Sequence, residues 1–329
     1  MVKVVQLGLG PIGQQLTQYL LERPGITILG GVDPDPAKVG KDIAVHAGLA
    51  KTGVEIVSGL ELVPNIEAAD VAVISTLSSL LKVEPQIREA ADYGLDIVST
   101  CEELSHPWQT QPECAERIHK YCKEKGVSCL GTGVNPGFLM DYLPSVLTSV
   151  CRTVDYVKVE RIQDATPRRK PFRDKIGAGL SEVEFIDKRD SIRHVGLEES
   201  VRMIADTLNW KLDRVDESLD PVLADRDIKN DRIHIPKGNV AGVQQIGSGF
   251  IKDEEVVRLV FKAAVGIRNS HDTISIKGTP GFRSTIDGGI NGDIATSAIT
   301  VNAIRSALSA IPGLKTMSEI QVPAFYSKA

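Results

Sequence analysis

The chain has 329 residues, of which 42% are hydrophobic and 25% charged, a composition typical of a globular protein. This length exceeds what one compact core usually spans, so we expect two domains, or one domain with a large insertion. The formal net charge of −5 gives no electrostatic reason to expect nucleic acid or a membrane as a partner, and no apolar run approaches the roughly 20 residues that cross a bilayer.

The five cysteines are an odd number with no C-x-x-C pair, and the six histidines are scattered singly. We therefore expect reduced thiols and no metal site. Met1 and Val2 lead directly into an apolar run, without the order of charged, apolar and small residues that marks a signal peptide. These features predict a cytoplasmic protein.

Strands and helices are predicted to alternate over the first 137 residues. Apolar runs at 2–7 and 26–32 are typical of buried parallel strands, and a helix bounded by Pro11 and Pro24 is predicted between them. Further strands are predicted over 71–75, 97–99 and 127–130, with helices after Ser79 and over about 112–125. This alternation predicts an α/β fold, a Rossmann doubly wound parallel sheet, for residues 1–137.

The pattern changes after a turn-rich segment at 131–137. Val157 and Val159 alternate with charged neighbours, as do the apolar residues of 257–263, which predicts a mixed or antiparallel sheet with one wet face. Residues 138–292 are thus predicted to form a second, α+β domain for substrate binding and dimerisation, with long loops in the charge-rich stretch 164–193. An amphipathic helix and tail at 293–329 are predicted to return to the Rossmann domain.

A glycine-rich motif, G-x-G-x-x-G, joins the first predicted strand to the first helix. Gly8 allows the tight turn, Gly10 lets a pyrophosphate approach the backbone, and Gly13 permits close packing of helix on strand. Pro11 and Ile12 lie inside the motif, where the helix N-terminus offers amide donors. The motif predicts a dinucleotide site; the alternative is a tight turn without nucleotide.

Asp33 ends the second predicted strand, 20 residues after Gly13. Its carboxylate would accept hydrogen bonds from the adenosine ribose and repel a 2′-phosphate, which favours NAD. Lys38 and Lys41 are near enough in sequence to leave NADP open.

Polar loops follow later strands of the same predicted sheet, and the carboxyl edge of such a sheet is where cofactors lie. For the serines after residue 74, an ordinary capped helix start is the alternative. The residues predicted to contact the cofactor beyond the glycine-rich motif and Asp33 are Ser75, Thr76, Leu77, Thr100, Cys101 and Asn135.

Two adjacent carboxylates, Glu102 and Glu103, follow the strand at 97–99. In an extended chain they would point in opposite directions, so that one of them faces the nicotinamide. Such a carboxylate could hold a substrate ammonium and transfer protons. The alternative is a helix start, because glutamates also favour a helix N-terminus.

Several runs of the chain resemble the 2,4-diaminopentanoate dehydrogenases and related native amine dehydrogenases, which are distant relatives of dihydrodipicolinate reductase. The runs are TCEELSHP (100–107), GTGVNPGFLMD (131–141), residues 163–170, KIGAGL (175–180) and GDIATSAITVN (292–302). The resemblance implies a Rossmann domain plus a mixed α/β dimerisation domain. It also implies NAD(P)-linked oxidative deamination of an amine, or reductive amination of a ketone with ammonia in reverse.

The resemblance further implies an acid/base glutamate in the E-E-L motif, which we assign to Glu103, with Glu102 as second choice. Residues that follow a strand end or sit in the charged loop are predicted to contact the substrate, and Arg169 could do so beside Arg168. Phe138 and Met140 could equally be core residues, and a charged surface loop is the alternative for 166–169. The predicted substrate residues are Asn135, Phe138, Met140, Thr166 and Arg168.

The leading hypothesis is an NAD(P)-dependent amine dehydrogenase that forms a homodimer through the second-domain sheet. A dihydrodipicolinate reductase-like imine or carbonyl reductase is one alternative, although the histidine- and lysine-rich substrate motif of true dihydrodipicolinate reductases is absent. A non-catalytic NAD(H)-binding sensor is the other alternative; the paired glutamates argue against it.

Overall fold

A computed structural model describes residues 1–168, 170–192, 196–231 and 233–327. The chain divides into two compact units. Unit 1 comprises Met1–Leu139 and Asn291–Ala329, and unit 2 comprises Met140–Ile290.

The first 139 residues alternate short parallel strands with helices. The strands and helices are, in chain order, β1 (Val2–Leu7), α1 (Pro11–Glu22), β2 (Ile26–Val32), α2 (Ile43–His46), β3 (Ile56–Val57), β4 (Val71–Ile74), α3 (Leu80–Asp92), β5 (Asp96–Ser99), α4 (Pro112–Lys125) and β6 (Ser128–Gly131). Every strand and helix predicted for this segment is present, with bounds that differ by about one residue.

The rest of the chain has longer strands. Its elements are α5 (Tyr142–Leu147), β7 (Thr153–Asp164), α6 (Lys170–Lys175), α7 (Glu182–Asp187), α8 (Arg189–Ile192), α9 (Leu197–Thr207), β8 (Arg214–Leu223), β9 (Ile228–Asn230), β10 (Ile233–Ile235), β11 (Val240–Ile251), β12 (Glu254–Ala264), β13 (His271–Thr279), β14 (Phe282–Asp287), α10 (Gly292–Leu308) and β15 (Gly313–Lys315).

The sheet of unit 1 has the order β15-β6-β5-β4-β1-β2-β3, and its neighbouring strands pair in parallel. All four residues of β4 are buried, as expected of a strand covered on both faces. The chain runs outward from β1 in one direction through β2 and β3, then returns to start β4 on the other side of β1. This reversal is the switch point at which doubly wound sheets bind nucleotides, so the predicted Rossmann fold is confirmed.

The C-terminal segment completes unit 1. Helix α10 packs against α1 and against β5, and β15 adds a seventh strand beside β6. Strand β15 was not predicted, because three residues are too few for a periodic pattern to be visible.

The sheet of unit 2 has the order β14-β13-β7-β12-β11-β8. The β7–β12 pair is parallel and the other neighbours are antiparallel, so the sheet is mixed. Helix α9 covers one face: a Cβ added at Gly247 or Gly249 would touch Leu197 or Val201. Because glycine has no Cβ, Gly247 and Gly249 allow α9 to lie close to the sheet.

The prediction of long loops for 164–193 is wrong for most of that stretch, because α6, α7 and α8 lie within it. Helix α7 begins with a capping box in which Ser181 and Glu184 each bond the other's backbone amide. Charged residues on the exposed sides of short helices made the segment resemble a loop. In the part of the chain that the structure describes, no helix is both long and apolar enough to span a membrane.

Candidate functional site

The glycine-rich turn between β1 and α1 is tightly packed at Gly8 and Gly13 and open at Gly10. Gly8 has φ +87°, and a Cβ there would lie 2.8 Å from the carbonyl oxygen of Ser75. A Cβ on Gly13 would collide with the carbonyl oxygen of Gly8. At Gly10, by contrast, no heavy atom of the described residues lies within 4 Å of an added Cβ, so this side of the turn is open. Close packing therefore leaves no room for a side chain at Gly8 and Gly13, whereas the backbone at Gly10 is open to approach by a ligand.

Asp33 follows β2 directly and is 6% exposed. Its Oδ2 accepts hydrogen bonds from the Leu9 amide (2.8 Å) and from Lys38 Nζ (2.7 Å), and its Oδ1 accepts one from the Asp35 amide (3.1 Å). Burial acts to raise the pKa of Asp33, but the bonds from Lys38, Leu9 and Asp35 together lower it below the usual value. The residue is therefore a charged acceptor at the end of β2.

The loop after β4 is tied to the glycine-rich turn, because Ser75 Oγ donates to the carbonyl oxygen of Gly8 (2.9 Å). Other predicted cofactor residues of this edge keep part of their surface exposed. These are Gly10, Pro11, Ile12, Ser75, Thr76, Leu77 and Thr100.

Glu102 and Glu103 lie in a 3₁₀ turn, Glu102–Leu104, rather than in an extended segment. Glu103 Oε2 accepts hydrogen bonds from the Leu80 amide at the start of α3 (2.7 Å) and from Gln111 Nε2 (2.6 Å). Its own amide donates to the carbonyl oxygen of Ser78 (3.3 Å). The carboxylate of Glu103 is therefore held against the loop that follows β4, and both glutamates stay partly exposed.

Two predicted site residues have side chains in hydrophobic cores. Cys101 is 1% exposed, its thiol lies 3.2 Å from the carbonyl oxygen of Ser78, and burial raises its pKa to about 12. The Cys101 side chain is thus turned into the core, and a cofactor contact at this residue stays a prediction. Met140 is completely buried in the core of unit 2, which favours the core alternative for this residue.

Asn135 and Phe138 lie in the segment that follows β6. This segment is compact: a Cβ on Gly137 (φ +125°) would lie 2.6 Å from the amide nitrogen of Gly133. It is also joined to α10, because the Val134 amide donates to Thr296 Oγ1 (3.3 Å). Asn135 is 9% exposed and Phe138 is partly exposed, so both remain candidates.

The predicted substrate loop of unit 2 is not a charged surface loop. Arg168 is 9% exposed and stacks on Phe172, with its guanidinium carbon 3.8 Å from the ring centroid. Thr166 Oγ1 donates to Asp164 (2.6 Å) and accepts from the Gly266 amide (3.0 Å), so its hydroxyl stabilises the turn. Arg169 lies outside the described residues.

A buried polar cluster in unit 2 was missed by the sequence reasoning. Arg161 is 2% exposed and lies on β7 with Val157 and Val159 on the face that packs in the core. Its Nη2 donates to the carbonyl oxygen of Ile290 (2.8 Å), and its Nε lies 3.7 Å from Asp272 Oδ1. Within the described part of the chain, Nε and Nη1 have no hydrogen-bond partner.

The surroundings of Arg161 leave its charge only partly balanced. Burial lowers the pKa of Arg161 to about 10, opposed by the charge of Asp272, so the guanidinium is protonated at neutral pH. Asp272 is itself 3% exposed and accepts from Gln163 (3.2 Å) and the Ile290 amide (2.7 Å). A charged residue in the apolar register of a strand was the signal that could have revealed this cluster.

No group of three or more His, Cys, Asp or Glu side chains suited to a metal ion occurs among the residues whose structure is described. The groups that could take part in binding or catalysis are the glycine-rich turn after β1, the carboxylates of Glu102 and Glu103, and the buried guanidinium of Arg161.

The comparisons with known proteins agree with this geometry. Residues 138–328 match the family model of the 2,4-diaminopentanoate dehydrogenase C-terminal domain. The chain is 32% identical to the 2,4-diaminopentanoate dehydrogenase of Acetoanaerobium sticklandii over 333 residues, covering 98% of this chain and 94% of the relative. It is 26% identical to the amine dehydrogenase of Streptomyces virginiae over 228 residues, covering 67% and 63% of the two chains.

The solved structure of the amine dehydrogenase from Mycobacterium smegmatis has the same fold, with a TM-score of 0.84 at 21% identity over 99% of this chain and 97% of that one. The family model covers more than half of this chain, and the relative from A. sticklandii matches nearly all of it. The chain therefore belongs to the 2,4-diaminopentanoate dehydrogenase family.

Proposed function

We propose that this protein is a nicotinamide-dependent dehydrogenase that oxidatively deaminates a small amino acid carrying an amine away from its carboxylate. The observation that carries the proposal is the common sheet edge: the glutamate turn after β5 lies two strands from the glycine-rich turn after β1. Membership of the family supports the reaction class, and both relatives are dehydrogenases named for an amine substrate.

The residues of unit 1 fit a dinucleotide. The open side of Gly10 would admit the pyrophosphate, the first turn of α1 would supply amide donors, and Asp33 would accept from the ribose. When bound, the nicotinamide ring accepts the hydride from the amine-bearing carbon. Asp33 favours NAD as the cofactor, with NADP possible.

The glutamates would carry out the proton chemistry. Glu103, or Glu102 in its place, binds the substrate ammonium and removes one proton, which frees the nitrogen lone pair as hydride leaves the neighbouring carbon. After that proton passes to solvent, the same carboxylate takes a proton from the water that adds to the resulting iminium carbon and delivers it to the nitrogen of the adduct. Collapse of this adduct releases ammonia and a ketone. The bonds from Leu80 and Gln111 would fix the position of the Glu103 carboxylate during these steps.

Arg161 suggests the class of substrate. Two donor nitrogens of the Arg161 guanidinium have no hydrogen-bond partner among the described residues, and a buried donor without a partner is costly. A carboxylate would match the edge of this guanidinium. We therefore propose that Arg161, more than the predicted Arg168, is the group of unit 2 that would recognise a carboxylate. The relative from A. sticklandii is named for a diamino acid, which supports an acidic substrate.

Reduction of NAD and NADP with 2,4-diaminopentanoate and with a panel of simple amines tests the proposal spectrophotometrically. We expect turnover of 2,4-diaminopentanoate and, in reverse, NADH oxidation that depends on added ammonium. NADH oxidation by a ketone without ammonium would instead indicate a carbonyl reductase, and cofactor binding without any turnover would indicate a sensor.

The role of the two glutamates is tested by Glu103→Gln and Glu102→Gln, which keep size and remove the charge. The variant that lacks the proton acceptor should lose about 100-fold or more in kcat while still binding NADH. Wild-type kcat in both variants would contradict a carboxylate mechanism.

The homodimer through the second sheet and the cytoplasmic location stay predictions. Light scattering coupled to gel filtration measures the first, and fractionation of the source cells measures the second.

A further inference from the structure

The carboxylate that would bind the cofactor ribose is ion-paired within its own loop. Lys38 Nζ lies 2.7 Å from Asp33 Oδ2, and the two side chains are 22% and 9% exposed. Lys38 Nζ also lies 3.7 Å from Asp35 Oδ2. One cation thus sits between two carboxylates at the end of β2.

The turn after β2 brings Lys38 to this position. The amides of Lys38 and Val39 both donate to the carbonyl oxygen of Asp35 (2.9 and 3.2 Å), and the Asp35 side chain caps the Ala37 amide (2.9 Å). Lys41 lies in the same segment but is exposed, and its side chain makes no ion pair among the described residues. The local backbone therefore selects Lys38 and not Lys41 as the partner of Asp33.

The ion pair changes what Asp33 can offer to a ribose. A carboxylate has about four acceptor positions. Three are used by protein donors, namely the Leu9 amide and Lys38 on Oδ2 and the Asp35 amide on Oδ1. A ribose diol that needs two acceptor positions would find one free on Asp33. Asp33 therefore binds NAD more weakly than an aspartate without these partners would.

The same ion pair changes the charge that a 2′-phosphate would meet. An aspartate at this position excludes NADP by repulsion, whereas a nearby cation admits the phosphate. Any group that approaches Asp33 Oδ2 also approaches Lys38 Nζ, because the two atoms are 2.7 Å apart. Lys38 therefore both reduces the repulsion and supplies a partner for the phosphate.

We infer that Lys38 is the residue that sets coenzyme selectivity, and that its ion pair with Asp33 allows the protein to bind NADPH as well as NADH. This inference rests on the proposed nicotinamide site, but it does not depend on which amine is oxidised. It assigns the two lysines of the segment different roles: Lys38 binds the 2′-phosphate of NADPH, and Lys41 does not contribute to coenzyme selectivity.

The test is fluorescence titration of NADH and NADPH against the purified full-length protein, with no amine present. Lys38→Ala should weaken NADPH binding about tenfold or more, because a charge-assisted contact is lost and Asp33 is left unbalanced. NADH binding should change by less than about threefold or tighten, because an acceptor on Asp33 becomes free. Lys38→Arg keeps the charge and should retain NADPH binding.

Lys41→Ala is the matched control and should leave the ratio of the two dissociation constants unchanged; thermal unfolding checks that each variant is folded. Wild-type discrimination above about 100-fold against NADPH would overturn the inference. So would an equal ratio in Lys38→Ala and the wild type, with both coenzymes still bound. Failure of the wild type to bind either coenzyme would overturn the nicotinamide site itself, a result distinct from the other two.

Discussion

The two units present their chemical groups in different ways. In unit 1, Asp33 and Glu103 lie just beyond strand ends, and backbone amides of neighbouring loops already bond their carboxylates. In unit 2, Arg161 lies inside a long strand, on the face that packs in the core, and two of its nitrogens lack partners among the described residues. The fold thus supplies hydrogen bonds to the loop carboxylates, whereas two nitrogens of the strand residue receive none from the described residues.

This difference bears on what holds each group in place. A loop carboxylate that accepts two or three protein hydrogen bonds keeps its position without substrate. Arg161 depends instead on one full hydrogen bond, to Ile290, and on the field of Asp272. We therefore expect mutations around Arg161 to have the larger effects, on stability and on substrate selectivity alike.

The largest effect is expected from Asp272→Asn. It removes the nearest counter-charge of a guanidinium that is 2% exposed, and breaking a buried pair on one side costs about 3–5 kcal/mol. Urea unfolding measures the loss. Asp216→Asn, which breaks an exposed pair with Arg214, is the control and should change the free energy of unfolding by less than about 1 kcal/mol. Equal changes in the free energy of unfolding of the two variants would contradict the expectation that mutations around Arg161 have the larger effects.

The next effect is expected from Arg161→Met, which removes the proposed carboxylate partner. The ratio of kcat/KM for 2,4-diaminopentanoate to that for 2-aminopentane should fall about 100-fold, equivalent to about 2.7 kcal/mol of charge-assisted bonding. Stability should also fall, because Asp272 is left as a buried carboxylate without its counter-charge, so the readout of the carboxylate role is the ratio of the two substrates. Arg258→Met, on the opposite face of the same sheet, should leave the ratio unchanged. A fall of equal size for both substrates would refute the carboxylate role.

The sequence predicted the fold of unit 1 well because its features are local. The signals were the glycine spacing, Pro11 and the short apolar runs, each of which lies within one turn or one strand. They were sufficient to predict most of the strands and helices from β1 to β6. It did not reveal β15, whose three residues pair with β6 across more than 180 positions of chain. It also mistook 170–192 for loops, because short helices capped by side chains have no long apolar period.

The site was predictable to the extent that it follows strand ends. Asp33 and the glutamate turn could be placed on one edge from the alternation alone. The environment of Arg161 could not, because its partner Asp272 comes from β13, more than 100 residues along the chain. The burial of the Cys101 and Met140 side chains could not be predicted either, because position after a strand end does not show which way a side chain points.

A smaller effect is expected from Gln111→Ala in unit 1. It removes the Gln111 side-chain donor to Glu103 Oε2, while the Leu80 amide remains, so the carboxylate should stay close to its position. We expect kcat to fall about three- to tenfold, from one neutral-to-charged hydrogen bond, with KM for NADH unchanged. Gln18→Ala, which loses a bond to the carbonyl oxygen of Ala47 in the same unit, is the control. A loss as large as that of Glu103→Gln would mean that unit 1 also depends on single contacts.

The smallest effect concerns the pH dependence of stability through Asp33. Its pKa in the folded protein lies below that of the unfolded chain, about 3.9, so the carboxylate stabilises the fold fully at neutral pH. This contribution is lost as the pH falls through 3.9 and then through the lower folded-state pKa, where the carboxyl becomes protonated in both states. Asp33→Asn, which cannot ionise, should therefore show a shallower fall in the free energy of unfolding between neutral pH and pH 3. Urea unfolding at several pH values measures this, and parallel curves for variant and wild type would show that the loop donors of unit 1 do not stabilise its charge.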